Sequence, residues 1–455
     1  MTTDVAAPPA ASQAAAEFQP LQGAYRSYAM SLLLAFYIVN FVDRQVINIL
    51  AEPIKRDLDL ADWQLGVMTG LAFAGVYTFL GIPVARLSER RDRPIIIAAS
   101  IAIWSGFTGL CGLAQNFSQL VLARFGVGVG QSGATPAAHS LIVDYVPPEK
   151  RSSALAFYGL GGPLGGLLGM AFGGLIADAY GWRVAFLLAG APGLVLAILA
   201  LTTLREPRRA IAARAARAEA ASATFGETMR LMGSKRSYCF LVCAMAIATL
   251  ISYGGVAFLA SFYLRNHADQ VAATASALGA ALGFDLGSVG FLGIAIGLMA
   301  GVSGAVGMWC GGQLADRFAP SDPRRYMYGP AIVTVMSGAA FICAMLAPSL
   351  GLSLALFALS SVFAAAWYGP AYTAAYSVVP AHMRATNSAI ILFAGNMIGL
   401  GLGPVAVGAL SDLISASLGP AEGMRWALIV FSGITLLAAG LFWTGARTIR
   451  EDTVS

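Results

Sequence analysis

Charge is scarce in this chain. Asp, Glu, Lys and Arg make up 11% of its 455 residues, where a soluble globular domain carries about 25%. That scarcity excludes a water-soluble fold of this length. The five cysteines (Cys111, Cys239, Cys243, Cys310, Cys343) are odd in number and sit inside apolar runs. A disulfide framework is thereby excluded, and they read as packing residues. Residues 1–20, rich in Ala, Pro and Gln, lack the basic start and apolar core of a signal peptide and read as disordered. No ATP-binding motif is present, so energy for any work must come from gradients. No metal or nucleotide site is visible, and no cofactor is expected. The net charge of +5 is modest and unevenly placed, so it calls for no nucleic-acid partner.

What the chain does have is apolar length. Hydrophobic residues make up 58% and the mean hydropathy is +0.72. Twelve runs are long enough to span a bilayer, which takes about 20 residues: 27–50, 63–87, 94–114, 118–146, 153–179, 183–204, 236–263, 287–315, 327–347, 350–378, 385–414 and 424–446. Long, mostly unbroken spans are helices and not barrel strands, so the fold class is all-α integral membrane. Only Lys55, Arg56, Arg183, Arg265 and Arg425 fall on one side of these spans, and Arg44 and Arg124 fall within them. The other Lys and Arg residues gather on the side of the termini. Both termini are therefore expected in the cytoplasm.

The loop 205–235 divides the spans six and six. Its Ala/Arg/Glu pattern fits an amphipathic surface helix or a linker kept soluble by charge. The expected domains are a disordered tail (1–26), a first bundle (27–204), the linker (205–235), a second bundle (236–446) and a short cytoplasmic tail (447–455). The halves repeat. VPPEKRSSA at 146–154 matches VPAHMRATNSA at 379–389, GWRVAFLLAG at 181–190 matches GMRWALIVFSG at 423–433, and ARLSERRDR at 85–93 matches GGQLADRF at 311–318. Six spans is an even number, so the repeats are parallel about an axis along the membrane normal.

These landmarks resemble the major facilitator superfamily over nearly the whole chain. The second-to-third loop motif is degenerate at Ala85–Arg93, with Glu89, Arg90 and Arg93, and cleaner in its twin at Gly312–Arg317, with Asp316 and Arg317. The fifth-span motif is present as Gly159-Leu-Gly-Gly162-Pro163-Leu-Gly165-Gly166. NFVDRQVIN and RFGVGVGQSGATPA are similar to the spinster family of lysophospholipid and sphingolipid transporters. That family usually has Glu where this chain has Gln131, which can hydrogen bond but cannot titrate. The resemblance implies two six-helix bundles around a central cavity, working by alternating access in a bacterial inner membrane, with a monomer expected.

Small residues recur at steps of three and four: Gly287 to Gly311 in the eighth span, Gly162, Gly166, Gly169 and Gly173 in the fifth, Gly395, Gly399 and Gly403 in the eleventh, and Gly66, Gly70 and Ala74 in the second. Such faces let membrane helices approach closely. They are expected to form a rocking interface between the halves.

Asp43 and Arg44 break an apolar run. An ionised side chain at mid-membrane costs at least about 2.5 kcal/mol, which a polar cavity or ion pathway justifies. In the fourth span, Arg124, Gly128, Gln131, Thr135 and His139 form one polar stripe. The second half offers Tyr253, Phe258, Trp367, Tyr368, Tyr372 and Asn396. A charged wall facing an aromatic wall suits an amphipathic anion, with Arg44, Arg124, Tyr37, Asn40 and Thr135 on the first side and Tyr253, Trp367, Tyr368, Tyr372 and Asn396 on the second. Asp43 is the expected proton site, beside Gln131 at the family's Glu position. The expected partners are protons and a membrane lipid or small amphipathic anion. The readings held against this are a transporter of small organic anions or drugs, a uniporter without proton coupling, a lipid-modifying membrane enzyme and a non-transporting sensor. Two motif matches fail on context. Gly128-Val-Gly130-Gln-Ser-Gly133 lies within a spanning helix and follows no strand, and His139 and Asp144 are five helical steps apart.

Overall fold

A spanning segment has to satisfy its backbone N–H and C=O groups internally, and the apolar runs here become long helices. The computed structural model describes residues 23–147, 150–207, 230, 232–318, 322–380 and 383–453. Residues 1–22 of the tail expected at 1–26 lie outside the described residues, as does most of the linker where an amphipathic helix is expected. The first six spans are Gly23–Leu58; Asp62–Gly66 continued through a π segment, Val67–Leu71, into Ala72–Arg90; Arg93–Cys111; Phe117–Tyr145; Arg151–Gly159 with Gly161–Tyr180; and Trp182–Thr203. The second six are Arg236–Asn266; Ser288–Phe318; Arg325–Leu346; Leu350–Ala366 with Tyr368–Ser377; Arg384–Ala394 continued through a π segment, Gly395–Leu402, into Gly403–Leu418; and Pro420–Ser432 with Thr435–Asp452. Among the described residues, eleven candidate spans pass on length and apolar composition together. The fourth has the length, at 29 residues, but its polar stripe dilutes the hydropathy.

The helices overrun the apolar runs. The first begins at Gly23 and reaches Leu58, and the last reaches Asp452, so residues 23–26 and 447–452 are helical and not tail. A further helix, Ala268–Leu282, occupies what the sequence left as a loop. It buries Val271, Ala275 and Gly279, one stripe at steps of four.

The two faces of the molecule are packed differently. On the face where the chain enters the first span (the terminal face), each half keeps its own apolar core, around Phe36, Trp104 and Tyr145 in the first and around Met327, Trp367 and Phe442 in the second. Towards the opposite face (the far face), one core joins both halves, running from Ile47 and Leu50 to Phe258 and Leu292. The molecule is closed at the far face and divided at the terminal face.

Glycine explains the closure, though with a different assignment of faces than expected. The second and eighth spans present small residues across the halves. A Cβ on Gly70 would come within 2.5 Å of Leu400 O, and one on Gly297 would lie 3.2 Å from Leu167 O. In the fifth span, Gly169 and Gly173 pack on Val42 and Val46 of the first span, while Gly162 and Gly166 only graze Phe41 and Gln45. In the eleventh, Gly399 and Gly403 pack on Thr249 and Leu250 of the seventh. Those two stripes hold each half together and do not form the rocking interface. A helix has several faces, and glycine spacing alone does not say which neighbour meets which stripe.

Candidate substrate cavity and far-face lock

Residues 37, 40 and 44 recur at three and four along the first span, so they share a face. The fourth span crosses that face. Gln131 joins the two by using both ends of its amide. Its Oε1 accepts from Arg44 Nε at 2.7 Å, and its Nε2 donates to Asn40 O at 3.3 Å. A guanidinium can only donate and a carbonyl can only accept, so the orientation of the amide is determined. The Arg44 guanidinium also lies over three rings, at 5.3 Å from Phe41, 4.9 Å from Phe73 and 4.6 Å from Tyr77, a cation–π cage.

Asp43 is 0% exposed, and neither carboxylate oxygen has a hydrogen-bond partner. Arg124 lies beside it but donates through Nη1 to the Asp43 main-chain oxygen, at 3.4 Å. Trp104 and Thr108 of the third span present donors to the carboxyl without closing a hydrogen bond. The Asn40 amide and Arg124 Nε are buried and unpartnered as well. Buried polar groups are normally satisfied, so this concentration of orphaned atoms singles out the candidate site. Trp104 and Thr108 escaped the sequence reading. Ser100, Trp104 and Thr108 at steps of four were the available signal.

Arg44 and Arg124 line one cavity with Phe41, Phe73, Tyr253 and Leu400. Both halves contribute, so it is central. Tyr37, Asn40 and Thr135 line an adjoining pocket with Trp104 and Tyr158. Tyr253 lies within electrostatic reach of Arg44 on one side and of Tyr368 and Tyr372 on the other. Tyr368 and Tyr372 stack as a ladder, 6.2 Å between centroids. Trp367, expected on that wall, is instead buried in the second half's core and stacks behind Tyr368 at 4.1 Å. Asn396 sits half-buried in the π segment of the eleventh span and is not among the cavity's lining residues. Phe258 is fully buried in the shared core. His139 meets Tyr158 edge-on at 5.2 Å. Gly128 and Gly133 admit Phe73 O and Ser100 Oγ, so the glycines of the rejected nucleotide motif serve helix packing.

Of the loop-motif residues, Arg93 acts within one half. Arg93, 0% exposed, donates through Nη1 to Asp144 and through Nη2 to Glu206, at 2.6 and 2.5 Å. That pins the start of the third span to the end of the fourth and to the segment after the sixth. Asp316 and Arg317 are exposed at the end of the eighth span. The side chains of Glu89 and Arg90 lie outside the described residues.

At the far face stands a cluster that the sequence reading did not single out. Arg265, at the end of the seventh span, donates to Glu52 of the first at 2.7 Å and to Asp62 of the second at 2.7 and 2.8 Å. Lys55 and Ser411 also donate to Asp62. Arg265 and Glu52 are each 6% exposed and Asp62 is 1%. The other far-face cations are paired too, Arg56 with Glu52, Arg183 with Asp57 and Arg425 with Glu422. The sequence showed these only as loop charges. The pairing emerges because the helices extend beyond the apolar runs and bring the charges together.

Comparison with known proteins agrees with this architecture. The family model described as Major Facilitator Superfamily matches residues 33–391. An MFS-type efflux pump of Mycolicibacterium smegmatis is 32% identical over 94% of this chain and 94% of its own length. The sphingosine-1-phosphate transporter SPNS2 of Danio rerio is 25% identical over 90% of this chain and 83% of its own. A solved bacterial homologue of the human lysosomal transporter Spinster, in an inward-facing and unoccupied conformation, superposes with a TM-score of 0.84. It is 29% identical and covers 95% of this chain and 99% of that one. An occupied inward-facing form superposes with a TM-score of 0.81 at 28% identity, with the same coverage.

Proposed function

Belonging to the Major Facilitator Superfamily, this spinster-like chain is a multi-pass membrane transporter, and we propose that it moves an amphipathic anion, such as a lysophospholipid or a sphingoid phosphate, by proton-coupled alternating access. The observation that carries this is the buried Asp43–Arg124 site, whose carboxylate lacks partners, opening beside a cavity with two arginines and an aromatic lining. The excess of Lys and Arg supports a cytoplasmic terminal face, and the likeness to a bacterial homologue supports a bacterial inner membrane. The divided face then opens inward.

The anionic head group is held between Arg44 and Arg124, and the apolar tail lies against Phe41, Phe73 and Tyr253. Ionised Asp43 balances Arg124. Protonation of Asp43 leaves that positive charge to the substrate and changes the relative stability of the two states. The gradient supplies about 2.3 kcal/mol per charge per 100 mV, plus the pH difference. Proteoliposomes carrying the protein should accumulate a labelled lysophospholipid under an imposed pH gradient, with rates that depend on acyl-chain length. Asp43→Asn should reduce gradient-driven accumulation at least tenfold while leaving exchange down a concentration gradient measurable. Accumulation by Asp43→Asn at the wild-type level would remove Asp43 as the proton site.

A second reading, transport of a small organic anion or drug, has the similarity to the efflux pump in its favour. It requires competition by short soluble anions and no dependence on chain length. Uniport without proton coupling requires rates indifferent to the gradient.

A further inference from the structure

The pseudo-symmetry of the halves extends to two contacts that neither the cavity nor the ion-pair lock uses. At the far end of the fifth span, Asp178 Oδ1 accepts from Val289 N at 3.3 Å and its Oδ2 from Gly290 N at 2.6 Å. Val289 and Gly290 open the eighth span, in the other half. At the far end of the eleventh span, Asp412 Oδ1 accepts from Asp62 N at 2.9 Å and its Oδ2 from Trp63 N at 2.8 Å. Asp62 and Trp63 open the second span, again in the other half. Each carboxylate thus spreads its two oxygens over two successive amides at the N-terminus of a helix it does not belong to.

The surroundings repeat as well. Gly174 stands one turn before Asp178, and Gly408 one turn before Asp412. A Cβ on Gly174 would meet Val289 O at 2.5 Å, and one on Gly408 would run into Asp62 O. Glycine lets the first residue of the incoming helix approach, and the acid one turn on captures its amides. Val289 follows Asp62 by 227 positions, the offset that also separates Asp316 from Glu89 in the repeated loop motif. Both halves therefore carry the same Gly-x-x-x-Asp device.

We propose that Asp178 and Asp412 are paired latches that hold the far face closed, each half supplying a carboxylate cap to a gate helix of the other. The first amides of a helix have no partner within it, and the N-terminus carries a partial positive charge that favours an anion. A carboxylate accepting from backbone N–H forms a charge-assisted bond. Parting the halves at the far face breaks both caps at once. The latches differ from the Arg265 lock in using backbone amides and not side-chain cations, and at Asp62 the amide serves the latch while the carboxylate serves the lock. The assignment rests on the alternating-access reading above. It deepens that reading by naming the residues that set the balance between the two states.

The test is access from the far face, read separately from transport. Two spin labels, one on the helix Ala268–Leu282 and one in the loop at residue 59, report the separation of the halves at that face by pulsed EPR, in the full chain in lipid nanodiscs. Asp178→Asn and Asp412→Asn keep size and one acceptor but lose the charge and the second oxygen. Each should raise the population with a separated far face about tenfold. The double variant should raise it about hundredfold, since distant sites add. Glu422→Gln, whose ion pair lies within the second half, should leave it unchanged, and melting temperatures should stay alike. Unchanged far-face distances in the double variant would overturn the proposal, and so would a shift in only one single variant, which denies a matched pair. Failure of lipid transport in the wild type, with the distance shifts intact, would instead strike the substrate reading and leave the latches standing.

Discussion

Gln131 is poised as a neutral copy of a protonated carboxyl. Its amide donates to Asn40 O while accepting from Arg44. A glutamic acid could do both only while protonated, because an ionised Glu has no donor for the carbonyl. Gln131→Glu should therefore create a second titrating site that faces the carbonyl when protonated and Arg44 when ionised. Transport in proteoliposomes should then show a second pH transition beside the one Asp43 gives the wild type, and superimposable pH profiles would refute this. A second residue-scale expectation concerns His267, outside the spans. Burial and the nearby Arg425 push its imidazole below the usual range, and its Nε2 has no partner. A histidine kept neutral in the folded state contributes stability above its unfolded pKa of about 6.5. That contribution is lost as pH falls through the window towards the lower folded value. The melting temperature should drop as pH is lowered from about 6.5, and His267→Gln should flatten that drop.

Among elements, the eighth span separates two kinds of glycine. Gly293 and Gly297 meet the backbone of the fifth span, while Gly301 is barely touched and a Cβ on Gly304 would meet nothing. The contact fades from the far face to the terminal face. If the fifth and eighth spans close at the terminal face in the other state, Gly304 lies where they meet. Gly304→Leu should leave the melting temperature unchanged in this conformation, since it fills open space, yet slow transport about tenfold by blocking closure. Normal transport would place the second contact elsewhere. The two π segments, Val67–Leu71 and Gly395–Leu402, pack on each other across the halves. Such widened turns recur at functional sites, and here they lie in the second and eleventh spans.

For the whole molecule, the Arg265 cluster and the two Asp caps tie the halves together at the far face. Arg265 neutralises two buried acids from the other half. Removing one partner of a buried pair costs roughly 3–5 kcal/mol, because the remaining charges stay unpaired. In this protein that strain has an outlet, since separating the halves rehydrates Glu52 and Asp62. Arg265→Ala should therefore raise the reactivity of a far-face cysteine towards a membrane-impermeant maleimide by at least an order of magnitude. A lower melting temperature without that gain would mean that Arg265 serves only stability.

The sequence by itself determined the spans, the six-plus-six repeat and the residues of the charged wall, because apolar length and a charge inside an apolar run are costly in lipid and so leave unambiguous traces. It placed Arg44, Arg124 and Tyr253 in what proved to be one cavity. It misplaced Trp367 on the cavity wall and the fifth- and eleventh-span glycines between the halves, because a residue's type does not say which neighbour its helix face meets. Only the tertiary structure decided the pairing of Gln131 with Arg44 and Asn40, the orphaned carboxylate of Asp43, the Arg265 lock and the two Asp caps. These contacts join residues tens to hundreds of positions apart, and their geometry exists only once the helices are packed.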